Sequence, residues 1–328
     1  MPFYRNILNQ AWKITWKNKY LWWFGIFAAL LGNGGELEIL FNNAGGDPGK
    51  ALFPAWQKVA STGVFSLKTF GNIINLFKQD TLNMLIFLIM SLAIALFLIF
   101  LIWLAVVGQA ALVHNSAALL NQKKNSLKSG WDMGLINFWP VLTINILVKA
   151  VIYLLLTAFT LPVIFFRENF RVNLLYISAL IFTVMLALIL SFIAKYAIAY
   201  VVINQAKIFE AIKRGCRLFW RNWLVSLEMA VILFVINFLI GLAIILSLLT
   251  LAVPFLFLGL IFHFSFSVAG PWFIAALASI SFLFIVVMGG AALSVFQTAS
   301  WTSLFLELGK KQGASKLIRI VNGLIKAD

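Results

Sequence analysis

Three ionisable side chains lie inside long apolar runs of the sequence: Glu228, Lys195 and Lys149. A charge at the centre of a membrane-spanning helix costs about 2.5 to 3.5 kcal/mol on insertion scales, so each residue is a candidate functional group. The Glu228 carboxylate could carry a proton or meet a cationic headgroup. The alternative interpretation is an ion pair between Glu228 and Lys195 or Lys149 that fixes how the helices pack. Lys195 could also extend its ammonium to the membrane surface.

A second candidate site is the segment AIKRGCRLFWRNW, residues 211–223, which mixes cations with aromatic residues. Its apolar positions recur every three or four residues, which predicts a helix that lies in the membrane interface with a basic opposite face. These apolar positions are Ile208, Phe209, Ile212, Cys216, Phe219, Trp220 and Trp223. The residues assigned to the interfacial basic and aromatic surface are Lys213, Arg214, Arg217, Trp220, Arg221 and Trp223.

Patterns typical of catalytic and metal sites are missing from the sequence. The two histidines, His114 and His263, are far apart and belong to no HExxH or HxxEH pattern, so a zinc hydrolase would lack its ligands. No P-loop occurs, and no acids pair near the apolar runs. The single Cys216 excludes an internal disulfide and is interpreted as a small residue on an apolar helix face. We therefore expect no catalytic site, no metal and no cofactor.

The composition predicts which class of protein must position these residues. Hydrophobic residues make up 63% of the chain and charged residues 11%, and the mean hydropathy is +1.01. A soluble domain cannot bury that much apolar surface, whereas a bilayer solvates it if helices satisfy the backbone. The apolar runs are continuous and long, which excludes the alternating segments of a β-barrel. We expect an all-α integral membrane protein in which residues 1–328 form one polytopic domain.

About six transmembrane helices are predicted from runs of roughly twenty apolar residues. The runs are 20–31, 83–113, 140–165, 173–203, 223–250 and 271–303. Residues 251–270 are also apolar, but a further span would send the basic tail outside. We interpret them as an outer or re-entrant connection broken at Pro254 and Pro271. The segment 33–82 is then an extracytoplasmic loop, and 304–328 a cytoplasmic amphipathic tail.

The cations predict the orientation. Under six spans, 17 Lys and Arg residues lie on one side and six on the other, which places both termini in the cytoplasm by the positive-inside rule. No cleavable signal is visible, so we expect a multi-pass protein of the cell inner membrane. The anionic headgroups of the inner leaflet account for the net charge of +15 without nucleic acid as a partner.

Two stretches suggest an internal duplication. At a spacing of 81 residues, Leu127, Trp131, Leu135, Phe138 and Leu142 match Ile208, Ile212, Cys216, Phe219 and Trp223. This predicts repeat units at about 83–165 and 173–250, each a span, an interfacial amphipathic helix and a span. The segment AWKITWKNKYLW, residues 11–22, suggests a third copy divided between the chain ends, with Asn18 matching Asn222. The alternative is that any multi-span protein acquires Trp and Lys at its interfaces.

The segments GQAALVHNSAALLNQKKNSLKSGWDMG and AIKRGCRLFWRNWLVSLEMA carry a family resemblance. They resemble the junctions of a group of prokaryotic six-span membrane proteins, including the membrane domain attached to some glycerophosphodiester phosphodiesterases. The resemblance covers residues 80–320 and implies a stand-alone membrane domain of that type. The catalytic half of those enzymes has no counterpart in the sequence.

Two functions remain open at this point. The first is a non-catalytic membrane module that contacts membrane lipids or protein partners through a basic cytoplasmic face. The second is a small transporter or lipid translocator that uses Glu228. The repeat favours transport, whereas the shortage of buried polar groups and of matched Gly- or Pro-broken spans speaks against it.

Overall fold

The structure is a computed structural model that describes residues 3–29, 81–123, 125–165, 170–265 and 269–310. Within these ranges the chain is helical and contains no strand. The helices are α1 (Phe3–Lys17), α2 (Leu21–Ala29), α3 (Thr81–Leu120), α4 (Leu127–Ile136), α5 (Phe138–Phe165), α6 (Phe170–Asn204), α7 (Ile208–Arg221), α8 (Trp223–Ser265) and α9 (Ala269–Gly309). The predicted loop up to residue 80 and the tail from residue 311 lie outside the described residues.

Five helices, α3, α5, α6, α8 and α9, are long and apolar enough to cross a bilayer. The prediction of an all-α protein with several membrane-spanning helices is confirmed to that extent. In the sixth predicted span, 20–31, Leu21–Ala29 form α2, and residues 30 and 31 lie outside the described residues. Helix α9 continues to Gly309 and buries Leu304 and Leu308, so the first residues assigned to the tail belong to this helix.

The spanning helices expose large apolar side chains along much of their length. On α9, Trp272, Ile280 and Phe284 are exposed, as expected for a surface solvated by hydrocarbon. Exposed hydroxyl groups on these helices donate to their own backbone. Ser279 bonds to the carbonyl of Ala275 at 2.8 Å, which satisfies the hydroxyl where no water is present.

The predicted break of the chain at Pro254 is wrong. Helix α8 runs without interruption from Trp223 to Ser265, with Pro254 inside it. Proline removes a single backbone donor, here the one facing the carbonyl of Thr250. Ending the helix in an apolar run would leave several backbone groups unpaired, which costs more. Pro271 lies in the first turn of α9, where its missing N–H is not needed.

The helices belong to two compact units. The described residues of the first unit are 3–29, 104–123, 125–141, 195–265 and 269–310, and those of the second are 81–103, 142–165 and 170–194. In the first unit α9 packs against α1, α2 and α8. Its core contains large side chains that are almost completely buried, among them Ile7, Phe24, Tyr196, Met229 and Leu304.

Two glycines in the first unit allow helices to approach closely. A Cβ atom at Gly25 on α2 would lie 2.5 Å from the carbonyl oxygen of Ala291 on α9. A Cβ atom at Gly134 on α4 would lie 2.7 Å from the carbonyl oxygen of Val107 on α3. Both neighbours are backbone atoms and cannot rotate away. The packing of α2 on α9 and of α4 on α3 therefore requires glycine at these positions.

We predict that Gly25→Ala destabilises the protein by about 1 to 3 kcal/mol, because the added methyl forces α2 away from α9. The control is Gly290→Ala, since nothing lies within 4 Å of a Cβ atom at Gly290. That change should be neutral or stabilising by up to about 1 kcal/mol. Denaturant unfolding of both purified variants in one detergent measures the difference, and equal stabilities would contradict the close packing.

Candidate functional site

Helix α7 has three faces in the structure. Ala211, Gly215 and Phe219 are buried in the first unit. At about 100° per residue, the exposed aromatic residues Phe209 and Trp220 lie roughly 130° around the helix from the centre of this buried face. Their exposed fractions are 84% and 62%. The third face carries the cations Lys213, Arg214, Arg217 and Arg221, all exposed.

The sequence predicted two faces for α7 and was wrong about one residue's environment. Phe219 was placed on the membrane-facing side, but it is 5% exposed and contacts the protein core. A helix that packs on a protein at the membrane surface needs separate faces for protein, lipid and water. Dividing its residues into polar and apolar distinguishes only two faces, because the faces toward protein and lipid are both apolar. The six residues assigned to the interfacial surface, including Trp223 at the start of α8, are all exposed. We call these six residues the basic-aromatic surface.

The same asparagine arrangement ends α1, α4 and α7. In each case the backbone N–H and the side-chain amide of one asparagine both donate to the carbonyl four residues earlier, at 2.8–3.2 Å. The asparagine carbonyl then accepts the first bond of the next helix, from Leu21, Val141 or Ser226. These residues are Asn18, Asn137 and Asn222. Each asparagine thus ends one helix and precedes the next, and its own backbone carbonyl is hydrogen-bonded.

The asparagine junctions align the two matching segments at a different spacing along the chain from the one that the sequence comparison used. Asn137 and Asn222 are 85 residues apart, as are the buried glycines Gly130 and Gly215. The sequence comparison used 81 residues, which pairs Phe138 with Phe219, although Phe219 is buried and Phe138 only partly so. The sequence comparison used the shorter spacing because identical aromatic residues coincide at it. Which small residues are buried cannot be predicted from the apolar positions alone. Asn18, matched to Asn222 from the sequence, has the same hydrogen bonds in the structure.

Glu228 lies in the second turn of α8, and the hydroxyl of Tyr4 on α1 donates a hydrogen bond to its Oε2 atom. Tyr4 is 7% exposed and belongs to the core. This bond joins α1 to α8 across 224 residues of sequence. A single sequence gives no signal for such a partner. The predicted pairing of Glu228 with Lys195 or Lys149 stays a prediction.

Lys195 on α6 lies beside an aromatic residue. Its Nζ atom is 4.8 Å from the centre of the Trp301 ring on α9, a cation–π geometry. The next residue, Tyr196, is almost fully buried, and its hydroxyl and that of Ser226 are 2.7 Å apart in a hydrogen bond. Trp301 was also missed by sequence reasoning. Lys149 is exposed on α5 in the second unit.

Within the described part of the chain, no three His, Cys, Asp or Glu side chains come close enough to hold a metal ion. Comparisons with protein-family models, with curated proteins and with solved structures find no match to this chain. The resemblance to six-span membrane domains therefore stays a prediction.

We predict that Tyr4 and Glu228 stabilise the protein as a pair. Tyr4→Phe removes the donor without changing the ring, and a hydrogen bond to a charged group contributes about 1.5 to 3 kcal/mol. Glu228→Gln should lose part of the same stabilisation, so the double variant should be less destabilised than the sum of the two. The free energies of unfolding of the three variants form a double-mutant cycle, and simple additivity would show that the two side chains do not interact.

Proposed function

We propose that this protein is a non-catalytic membrane module that contacts anionic lipid headgroups of the inner leaflet through the basic-aromatic surface. The observation that carries the proposal is the joint exposure of four cations and two tryptophans on and beside α7, while the opposite face packs into the core. Tryptophan rings favour the headgroup region, and each nearby Lys or Arg contributes about 1 kcal/mol at an anionic membrane surface.

Helix α1 supports the same function. It buries Ile7 and Ala11, and it exposes Trp12 and Trp16 next to the exposed cations Lys13 and Lys17. Around α1, the face buried in the protein, the exposed aromatic face and the basic face come in the same order as around α7. A lipid-binding role for both helices explains why two separate helices share this arrangement.

We further propose that the chain has six spans with both termini in the cytoplasm, and that it arose by duplication. The duplication is supported by the three asparagine junctions. It is also supported by two glutamines with left-handed backbone, Gln122 (φ 57°) and Gln205 (φ 53°), which precede α4 and α7. Residues other than glycine and asparagine seldom adopt this conformation. The shared junctions imply that α1, α4 and α7 lie at one membrane surface.

We predict that replacing Lys213, Arg214, Arg217 and Arg221 with Gln reduces the enrichment of anionic lipid around the protein. Energy transfer from the protein to labelled phosphatidylglycerol or to labelled phosphatidylcholine, in mixed liposomes, measures the enrichment. In the wild type the preference for the anionic probe should weaken as salt is added, because the contacts are electrostatic.

The matched control replaces the three arginines of this set with Lys, which keeps the charge. This control should behave like the wild type, since an ammonium and a guanidinium carry equal charge to the membrane surface. An equal lipid preference in the Gln variant and the wild type would contradict the proposed function.

The topology is tested by single cysteines in a chain with Cys216→Ala. An impermeant thiol reagent should label Ala60→Cys and Glu168→Cys in intact cells, and Asn125→Cys, Lys213→Cys and Ser315→Cys only after the cells are opened. Lys213 is chosen because it is exposed, whereas the neighbouring Gly215 is buried. Labelling of Ser315→Cys from outside would contradict the proposed six spans with both termini in the cytoplasm.

A further inference from the structure

Helix α5 carries an ammonium group on its exposed side, deep in the membrane. Lys149 follows Trp139 by ten residues of this helix, and both side chains are exposed. Tryptophan favours the headgroup region, and ten residues of helix cover about 15 Å, half of a hydrocarbon core of about 30 Å. The four-carbon stem of lysine is shorter than this depth. The ammonium of Lys149 therefore lies in the hydrocarbon, away from the charges of the headgroups.

The second unit supplies no counter-charge for this ammonium. Among its described residues, none forms a hydrogen bond or an ion pair with the side chain of Lys149. None of these residues is Asp or Glu. Charged residues inside a membrane almost always pair with another group or face water inside a protein. The exposed position of Lys149 thus calls for a partner from outside this unit.

A second polar group lies one turn further along the same side of α5. Tyr153 follows Lys149 by four residues and is 55% exposed, so the two side chains are neighbours on the helix surface. In the described part of the chain, the Tyr153 hydroxyl has no hydrogen bond either. Asn145 and Thr157 continue this row at the same spacing of four residues. An ammonium and a phenol hydroxyl, both hydrogen-bond donors, are therefore presented together.

Exposed hydroxyl groups on other spanning helices do not need an outside partner. Ser247 and Thr250 on α8 and Ser279 and Ser281 on α9 each donate to a carbonyl of their own helix at 2.7–2.9 Å. Such bonds are made by short side chains, whose polar atom lies close to the preceding turn. Lysine and tyrosine carry their polar atoms at the ends of long side chains. The donors on α5 therefore depend on an acceptor that another molecule brings.

We propose that this side of α5 binds a transmembrane helix of another membrane protein, one that carries an Asp or Glu near the membrane centre. The partner's carboxylate accepts hydrogen bonds from the Lys149 ammonium and the Tyr153 hydroxyl, and the opposite charges select this partner. Ile146, which is 57% exposed, lies on the same side one turn before Lys149 and supplies apolar contact to the helix. None of the six residues of the basic-aromatic surface takes part, so this inference and the proposed function can fail separately.

A second copy of this chain fits the same surface less well. Two α5 helices in contact would bring two Lys149 ammonium groups together, and like charges repel. The carboxylates on the five described spanning helices are Glu228 and Glu307. Both have partners in the first unit, the hydroxyl of Tyr4 and the ammonium of Lys310. The carboxylate that meets Lys149 is therefore assigned to a different protein.

The test uses the full-length protein in liposomes and a synthetic transmembrane peptide as the probe. The peptide is a run of Leu and Ala with one Glu at its centre, and the comparison peptide has Leu there. Energy transfer from a dye on Asn121→Cys, in a chain with Cys216→Ala, to a dye on the peptide measures binding. We expect the wild type to bind the Glu peptide about five- to thirtyfold more tightly than the Leu peptide.

Three variants test the residues that carry the proposal. Lys149→Leu should lose the preference for the Glu peptide, and Tyr153→Phe should reduce it about two- to fivefold. The matched control combines Lys149→Leu with Val151→Lys, which keeps the charge at nearly the same depth but moves it about 200° around α5, away from Tyr153. This control should not recover the preference. Lys149→Glu should prefer a peptide with a central Lys, because the charges are exchanged.

The contrary results are equally specific. Equal binding of both peptides by the wild type overturns the proposal, as does an unchanged preference in Lys149→Leu or in the control with the moved lysine. If Lys149 pairs with Glu228 of its own chain, the wild type shows no preference and Glu228→Gln creates one, which also overturns the proposal. If Lys149→Leu fails to fold, Tyr153→Phe serves instead, and an unchanged preference in that variant overturns the proposal as well.

Discussion

The fold depends on one constraint: in apolar surroundings, every backbone N–H and carbonyl needs a partner within the protein. This constraint explains why α8 continues through Pro254 and why exposed serines bond to their own helix. It also explains how the chain changes helices. At Asn137 and Asn222, the backbone N–H and the side-chain amide both donate to a carbonyl in the last turn of one helix, and the asparagine carbonyl accepts the first bond of the next helix. Helix ends are thus placed where the sequence supplies that amide.

The sequence was sufficient to predict an all-helical fold, because long continuous apolar runs in a bilayer almost always form helices. It located the ends of the spanning helices to within seven residues, apart from α8, where proline was given too much weight as a helix breaker. It also identified the exposed cations of α7. It could not place Phe219, since burial against protein and contact with lipid both require an apolar residue. Nor could it find Tyr4 or Trp301, because partners that are distant in the chain leave no trace in local spacing.

The first unit combines two kinds of helix surface. Large apolar residues in the first half of α9 are exposed, whereas Ala291, Val295 and Ala299 in its second half are buried by neighbouring helices. Small residues at these contacts let the backbones approach, and polar groups such as Ser226 and Thr302 are enclosed with them. The bond between Tyr4 and Glu228 belongs to this enclosed part. Within this unit, specific chemistry is therefore concentrated where helices, and not lipid, surround the side chains.

The contacts of α1 have a consequence for biosynthesis. Tyr4 bonds to a residue 224 positions later, and Gln10 accepts a hydrogen bond at 3.2 Å from Ser303, which follows it by 293 positions. At roughly 5 to 20 residues per second, the ribosome needs about 15 to 60 seconds to reach that serine. During this interval α1 and α2 exist without the helix that buries them. The core of the first unit therefore assembles late, after α9 has been made, and a stalled or shortened chain would leave its earliest helices unassembled.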